Sequence, residues 1–96
     1  MYATFRYYAG NRELGDRLVE NRSEVERIIS GIDGFRAYYL IRTTNGDTIS
    51  LSVFDNEASA EESTKAAAGW IRENLPDMSI NPQVSSGEVV IDFSRS

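Results

Sequence analysis

The dipeptide Asn45-Gly46 lies near the middle of the 96-residue chain and restricts its fold more than any other feature. Both positions tolerate the positive φ angles of a tight hairpin turn, so this pair between two β-prone runs is a strong hairpin signal. We predict strands over 36–43 and 47–54 on its two sides. The turn therefore makes these two strands antiparallel neighbours at the centre of the sequence.

The segment before the hairpin combines one strand and one helix. Residues 2–8 are aromatic and β-prone, and we predict the first strand there. Apolar residues at helical spacing follow, so we predict one helix that begins between Asn11 and Asp16. Gly31 suits the C-cap of that helix.

The segment after the hairpin repeats the helix and the strand. Ser59-Ala60-Glu61-Glu62 has the pattern of a capping box and predicts a helix start, and Pro76 ends the helix after about Leu75. Residues 87–94 are predicted as the fourth strand. The order is β-α-β-β-α-β, so we predict a single α+β domain over 1–96, with an antiparallel sheet and two helices on one face.

Composition removes several classes of function. The chain has no cysteine and no histidine, which excludes thiolate chemistry and the commonest metal and haem ligands. We therefore expect no metal site and no cofactor. The net charge of −5 argues against nucleic acid as a partner, and no apolar run is long enough to span a membrane. A cytoplasmic location is expected from the missing disulfide chemistry.

Alternation along the strands divides the sheet into two unlike faces. The more apolar face, which we predict lies under the helices, carries Ala3, Phe5, Tyr7, Tyr39, Ile41, Ile49, Leu51, Val53, Val89, Ile91 and Phe93. The other face mixes phenols, hydroxyls, two arginines and an aspartate: Tyr2, Thr4, Arg6, Tyr8, Tyr38, Leu40, Arg42, Ser50, Ser52, Phe54, Val90 and Asp92. We predict a homodimer through this second face; a face left in contact with water is the alternative.

The second predicted helix has small residues where large apolar ones are usual. Its inward stripe contains Ser63 and Ala67 before Trp70 and Ile71. Small side chains either let a helix lie close to a sheet or leave a hollow beneath it. Trp70 is then either an ordinary core residue or the wall of an apolar pocket.

Three short motifs resemble the dimeric α+β barrel superfamily, which has a ferredoxin-like fold and includes the antibiotic biosynthesis monooxygenase-like proteins. They are Gly34-Phe35 before the second strand, the strand segment 50–55, and the spacing Ser63…Ala67…Trp70. The resemblance implies two ferredoxin-like subunits joined through their sheets, with any pocket between sheet and helices. Active members oxidise aromatic polyketides or quinols without metal or flavin, and a tryptophan at the position of Trp70 helps form the pocket in some. Haem-degrading relatives need a helix histidine, which this chain lacks.

Two functions remain after these exclusions. The first is a non-catalytic dimeric or small-ligand-binding module; the alternative is a cofactor-free monooxygenase acting on a small aromatic substrate near Trp70. The candidate substrate-binding residues are Trp70, Ser63, Arg6, Tyr38 and Arg42, joined by Tyr8 and Asp92 if a ligand lies between subunits. An amino-acid-sensing regulatory domain stays open as a third use of the same element order.

Overall fold

In the part of the chain that the structure describes, four strands, numbered along the sequence, form one antiparallel sheet in the order β2-β3-β1-β4, and three helices accompany it. The computed structural model describes residues 1–78 and 80–95. The elements are β1 Tyr2–Tyr8, α1 Arg12–Glu20, α2 Arg22–Ser30, β2 Phe35–Arg42, β3 Thr48–Phe54, α3 Glu57–Asn74 and β4 Gln83–Glu88. The predicted fold class is confirmed: the chain has an antiparallel α+β, ferredoxin-like architecture.

The central hairpin forms as predicted, but only Gly46 of the Asn45-Gly46 pair has a positive φ, of 89°. The amide of Gly46 donates to the carbonyl of Thr43 at 3.3 Å, and the amide of Thr43 donates to the carbonyl of Asp47 at 3.0 Å. Strands β2 and β3 then pair until the register shifts between Phe35 and Ala37. This irregularity places Phe35 beside Phe54, in an edge-to-face contact with 5.9 Å between ring centroids.

The first predicted helix is two helices, because the chain departs from helical geometry at Asn21. The side-chain Nδ2 of Asn21 donates to the carbonyl oxygen of Arg17 at 2.8 Å. The backbone N–H of Asn21 is shared between the carbonyl oxygens of Arg17 and Leu18. Asparagine competes for backbone partners in this way, which makes it a poor residue for the interior of a helix.

Two predicted boundaries are wrong. Helix α3 begins at Glu57, because the side chain of Asn56 caps it by accepting from the amide of Ser59 at 2.9 Å; the predicted capping box lies inside the first turns.

The fourth strand lies earlier than the predicted 87–94. Strand β4 pairs with β1, and the ladder ends at Glu88, opposite Tyr2. One further backbone bond joins Val89 to Met1 at 2.8 Å, after which β1 offers no more partners and the residues that follow leave the sheet.

The two faces of the sheet are the reverse of the prediction. The helices cover the face with Thr4, Arg6 and Tyr8, all of which are buried. The predicted homodimer interface through that face is therefore wrong, because the helices of the same chain already occupy it. The apolar face turns away from the helices, so that Phe5 is 40% and Tyr39 56% exposed. Apolar content alone predicted the wrong side, because hydroxyl and arginine side chains can be buried when they satisfy one another.

Two hydrophobic clusters lie between helices and sheet. The first joins α1, α3 and the end of β1 through Tyr8, Leu14, Leu18, Trp70, Ile71 and Leu75. The second joins α2, α3 and β3 through Ile29, Ile32, Phe54 and Ala60. Between them the interior is polar, because the serines of β3 and α3 surround a buried arginine.

Candidate functional site

Arg6 lies at the centre of the space between α3 and the sheet and is only 2% exposed. Its Nη1 donates to the hydroxyl oxygens of Ser50 at 3.2 Å and Ser52 at 3.0 Å. Its Nη2 donates to Ser63 at 2.7 Å and Thr64 at 2.9 Å. The buried Nε–H donates to no acceptor in the part of the chain that the structure describes. The arginine is therefore held by neutral hydroxyls from two elements.

Strand pairing and helix geometry bring these groups together. Arg6 pairs directly with Ser50 in the β1–β3 ladder, and Ser52 lies two residues along on the same face. Above them, the hydroxyl of Ser63 donates to the carbonyl of Ala60 at 2.6 Å, which leaves its oxygen lone pairs to accept from Arg6. The small residues of α3 allow this close approach.

A cavity of about 380 Å³ opens beside Arg6, beneath the second half of α3. It is lined by Arg6, Tyr8, Thr64, Ala67, Ala68, Ile71, Arg72, Leu75, Pro76, Met78, Ile80, Pro82 and Val84. Of the two alternatives for the small residues of this helix, close approach to the sheet occurs at Ser63, and a hollow lies beside Ala67 and Ala68. Its wall is mainly apolar, with the guanidinium of Arg6 at its inner end and Arg72 exposed at the surface.

Two phenols share the interior with the arginine. Burial raises the pKa of Tyr8, while the charge of Arg6 and a hydrogen bond with Ser50 oppose the shift. Burial also raises the pKa of Tyr38, with opposing contributions from the same two residues. Burial lowers the pKa of Arg6 itself. Both phenols are thus kept protonated and can act as hydrogen-bond donors near the cation.

The other two candidates from the sequence lie elsewhere. Trp70 is buried, and its indole Nε1 donates to a carboxylate oxygen of Glu24 at 2.8 Å, which ties α3 to α2. It lines a separate space of about 30 Å³ deeper in the domain, together with Tyr8 and Tyr38, and it does not line the larger cavity. Arg42 lies on the surface and forms an ion pair with Asp16 at 2.6 Å.

A second cavity of about 420 Å³ lies on the opposite side of the domain, between α2 and β2. Tyr38, Val25 and Ile29 contribute to its wall and also to the 30 Å³ space. Its charged residues are Arg22 and Glu26, one of each sign and both exposed. It therefore offers no buried charge of the kind that Arg6 provides.

Sequence reasoning named Arg6 and Ser63 but missed Thr64, Ser50 and Ser52 as their partners. The signal was present, because Ser50 and Ser52 alternate on the same face of β3 as Arg6 on β1. The loop residues that close the cavity, such as Ile80 and Pro82, gave no comparable signal.

Among the described residues, no three His, Cys, Asp or Glu side chains cluster so as to hold a metal ion. None of the described helices combines the length and the apolar character needed to cross a bilayer.

No protein-family model matches the sequence, and no curated protein matches it. Solved structures do match over nearly the whole chain. A protein of unknown function from Nitrosomonas europaea has a TM-score of 0.73 at 14% identity, covering 99% of this chain and 94% of its own. A monooxygenase from Streptomyces coelicolor in complex with nanaomycin D has a TM-score of 0.71 at 14% identity, with coverages of 99% and 92%. A dimeric ferredoxin-like protein from an uncultured marine organism has a TM-score of 0.67 at 10% identity, with coverages of 98% and 97%.

These likenesses define the class by fold: a ferredoxin-like α+β domain of the kind found in antibiotic biosynthesis monooxygenase-like proteins. The resemblance noted in the sequence is confirmed at that level. Identities of 14% and below establish the fold, whereas the function depends on the site.

Proposed function

We propose that this protein is a small-ligand-binding module and that its ligand occupies the cavity beside Arg6. The observation that carries the proposal is the pairing of a cavity of about 380 Å³ with a buried guanidinium. Ligand sites in proteins usually measure about 300–1,000 Å³ and combine apolar walls with a few polar groups. This cavity has both properties.

The composition of the wall supports the same proposal. Ile71, Leu75 and Met78 provide apolar surface, and Thr64 and Tyr8 provide hydroxyl groups near the cation. A side chain as costly to bury as arginine is kept in an interior mainly where it has a use. In the proposed site, Arg6 and Thr64 form the polar end, Ser63 holds Arg6 in place, and α3 forms the roof.

A fragment screen by ligand-observed NMR tests this proposal. We expect aromatic fragments to bind the wild-type protein, and Ala67→Phe, which fills the cavity from α3, to abolish that binding. Ala58→Phe is the matched control, because Ala58 is an exposed residue of the same helix outside the cavity lining. If Ala67→Phe and Ala58→Phe are both folded and bind fragments equally well, the cavity is not the binding site.

We also propose that the module is a homodimer joined through the outer face of the sheet, the face away from the helices. Phe5, Tyr39 and Ile41 are exposed there, which is a large apolar surface for a small domain. The outer-face strand positions are Ala3, Phe5, Tyr7, Ala37, Tyr39, Ile41, Ile49, Leu51, Val53, Gln83, Ser85 and Gly87, and none is charged.

The charge distribution favours a second copy as the occupant of this face. A chain with net charge −5 repels an identical chain at most approaches, whereas an uncharged face avoids like-charge contact. A symmetric dimer also places the same patch on both sides of the interface. The cavity lies on the other side of the sheet, so this dimer would leave it accessible.

A cofactor-free monooxygenase remains the second candidate, and the buried cation is the observation that favours it. A guanidinium stabilises a phenolate, the form of an aromatic substrate that reacts with oxygen in such chemistry. Oxygen uptake on adding a phenolic fragment that binds, lost in Arg6→Met, would support an enzyme. Binding without oxygen uptake would leave the ligand-binding module.

A further inference from the structure

Arg6 is a buried positive charge without a carboxylate partner among the described residues. The described part of the chain contains four ion pairs, made by Arg17, Arg36 and Arg42, and all of them lie at the surface. The four groups that accept from Arg6 are hydroxyls, which are dipoles and carry no charge. The charge of the guanidinium is therefore uncompensated in the ligand-free domain.

Such an arrangement is costly. Buried charges in proteins are as a rule paired or neutralised, because an interior solvates an isolated ion poorly. Arginine does not take the second route, since it stays protonated in proteins. An anion beside the guanidinium would reduce this cost.

The cavity is built for such an anion. Two arginines contribute to its lining and no aspartate or glutamate does, although the chain has 15 acidic residues. The Nη2 of Arg6 donates at 2.9 Å to the hydroxyl of Thr64, which lines the cavity with it, so a ligand oxygen can join Thr64 as an acceptor there. Apart from Arg72 and the hydroxyls of Thr64 and Tyr8, the rest of the wall is apolar, which disfavours a highly hydrated ion such as inorganic phosphate.

We propose that the cavity binds an amphipathic monoanion, an apolar or aromatic body bearing one carboxylate or phenolate oxygen that accepts from Arg6. This inference rests on the proposed function and makes it specific. The negative group would lie at the inner end, next to Arg6 and Thr64, while the body fills the space under Ala67 and Ala68.

Isothermal titration with matched pairs of probes tests the inference at pH 7. The carboxylate arm compares 2-naphthoate with 2-naphthamide, and the phenolate arm compares 2,4-dinitrophenolate with 2,4-dinitroanisole. In at least one arm we expect the anion to bind about tenfold more tightly or better, since a charge-assisted hydrogen bond contributes about 1.5–3 kcal/mol. The arm that shows the preference distinguishes carboxylates from phenolates.

The variants locate the effect. Arg6→Met should bind the two members of a pair equally, Arg6→Lys should keep part of the preference, and Arg72→Gln, at the exposed edge, should keep most of it. If Arg6→Met fails to fold, the preference for the anionic over the neutral probe is still measured in the wild type and in Arg6→Lys, and it tests the inference.

Two results would overturn the inference, and only the second would also contradict the proposed ligand-binding function. If the neutral probes bind as tightly as the anions in both arms, the anion specificity is wrong and the ligand-binding function stands. If neither these probes nor any fragment of the NMR screen binds, the proposed function fails as well.

Discussion

Two charged side chains are buried against the sheet, and their partners differ. Asp47 accepts from the hydroxyl of Tyr7 and from the backbone amide of Gly10, the latter at 2.6 Å. It thereby joins the hairpin to the end of β1, a structural role. Among the described residues Arg6 donates to hydroxyl groups alone, and it lies beside a cavity. At the residue scale, this contrast supports the proposed binding role of Arg6 and a structural role for Asp47.

We predict that Asp47→Asn removes part of the acid sensitivity of folding. The hydrogen bond from Tyr7 and then that from Gly10 hold the pKa of Asp47 below its usual 3.8. A carboxyl with a lowered folded-state pKa stabilises the protein above its unfolded pKa, and this stability is lost as pH falls through the folded pKa. The variant should be less stable than wild type at pH 7, and the difference should shrink between about pH 5 and pH 2.

Urea unfolding measured across that pH range checks this prediction. Asp33→Asn is the control, because Asp33 is exposed and makes no side-chain hydrogen bond or ion pair among the described residues. A stability difference for Asp47→Asn that stays constant with pH would contradict the assignment.

Local sequence signals account for most of the elements. Strand β1, the Asn45-Gly46 hairpin and the end of α3 were predicted correctly, because turn chemistry and proline act within a few residues. The C-terminal strand was placed too late, since its end depends on the length of β1 and not on its own alternation. Which face of the sheet meets the helices was also wrong. That choice depends on long-range contacts, here the hydroxyls of α3 that satisfy Arg6.

The site shows the same limit. Arg6 and Ser63 could be chosen from the sequence because a charge and a small polar residue stand out on a strand and a helix. The place of Trp70 in the fold could not be predicted from the sequence, because its hydrogen bond to Glu24 joins residues that are 46 positions apart. The cavity itself depends on the loop after α3, whose path no motif predicts.

Gly34 connects α2 to β2 and offers a test at the element scale. Its φ is +85°, and a Cβ there would lie 3.3 Å from both the Cβ of Asp55 and the Oγ of Ser59. We expect Gly34→Ala to destabilise the fold by about 1–2 kcal/mol from the backbone alone, with crowding adding to it. Gly69→Ala, where a Cβ would meet only the end of the Arg72 side chain at 3.9 Å, should not destabilise the fold, because alanine favours a helix interior over glycine. Equal urea midpoints for the two variants would contradict this account of the turn.

At the scale of the whole molecule, the sheet separates two surfaces with different proposed roles. The helix side contains the cavity, and the outer side is apolar and uncharged along its strands. Residues after β4 add to the exposed apolar surface, with Phe93 at 94% exposure. A second copy on the outer side would cover the sheet and give this small domain the additional buried area that its size denies it.

We predict that Tyr39→Lys weakens the homodimer at least tenfold, because it places a charge in an apolar interface. Sedimentation equilibrium at micromolar concentration measures the change. Val19→Lys is the matched control, since Val19 is 57% exposed on α1 and Tyr39 is 56% exposed on the outer face. A wild-type monomer under these conditions, or equal dissociation constants for both variants, would contradict the proposed interface.

A crystal structure of the protein with its tightest-binding fragment would show whether a ligand binds beside Arg6. We predict electron density in the cavity beneath α3, with an acidic oxygen within about 3.2 Å of a nitrogen of Arg6. Density confined to the groove between α2 and β2, or side chains filling the space beside Arg6, would contradict it.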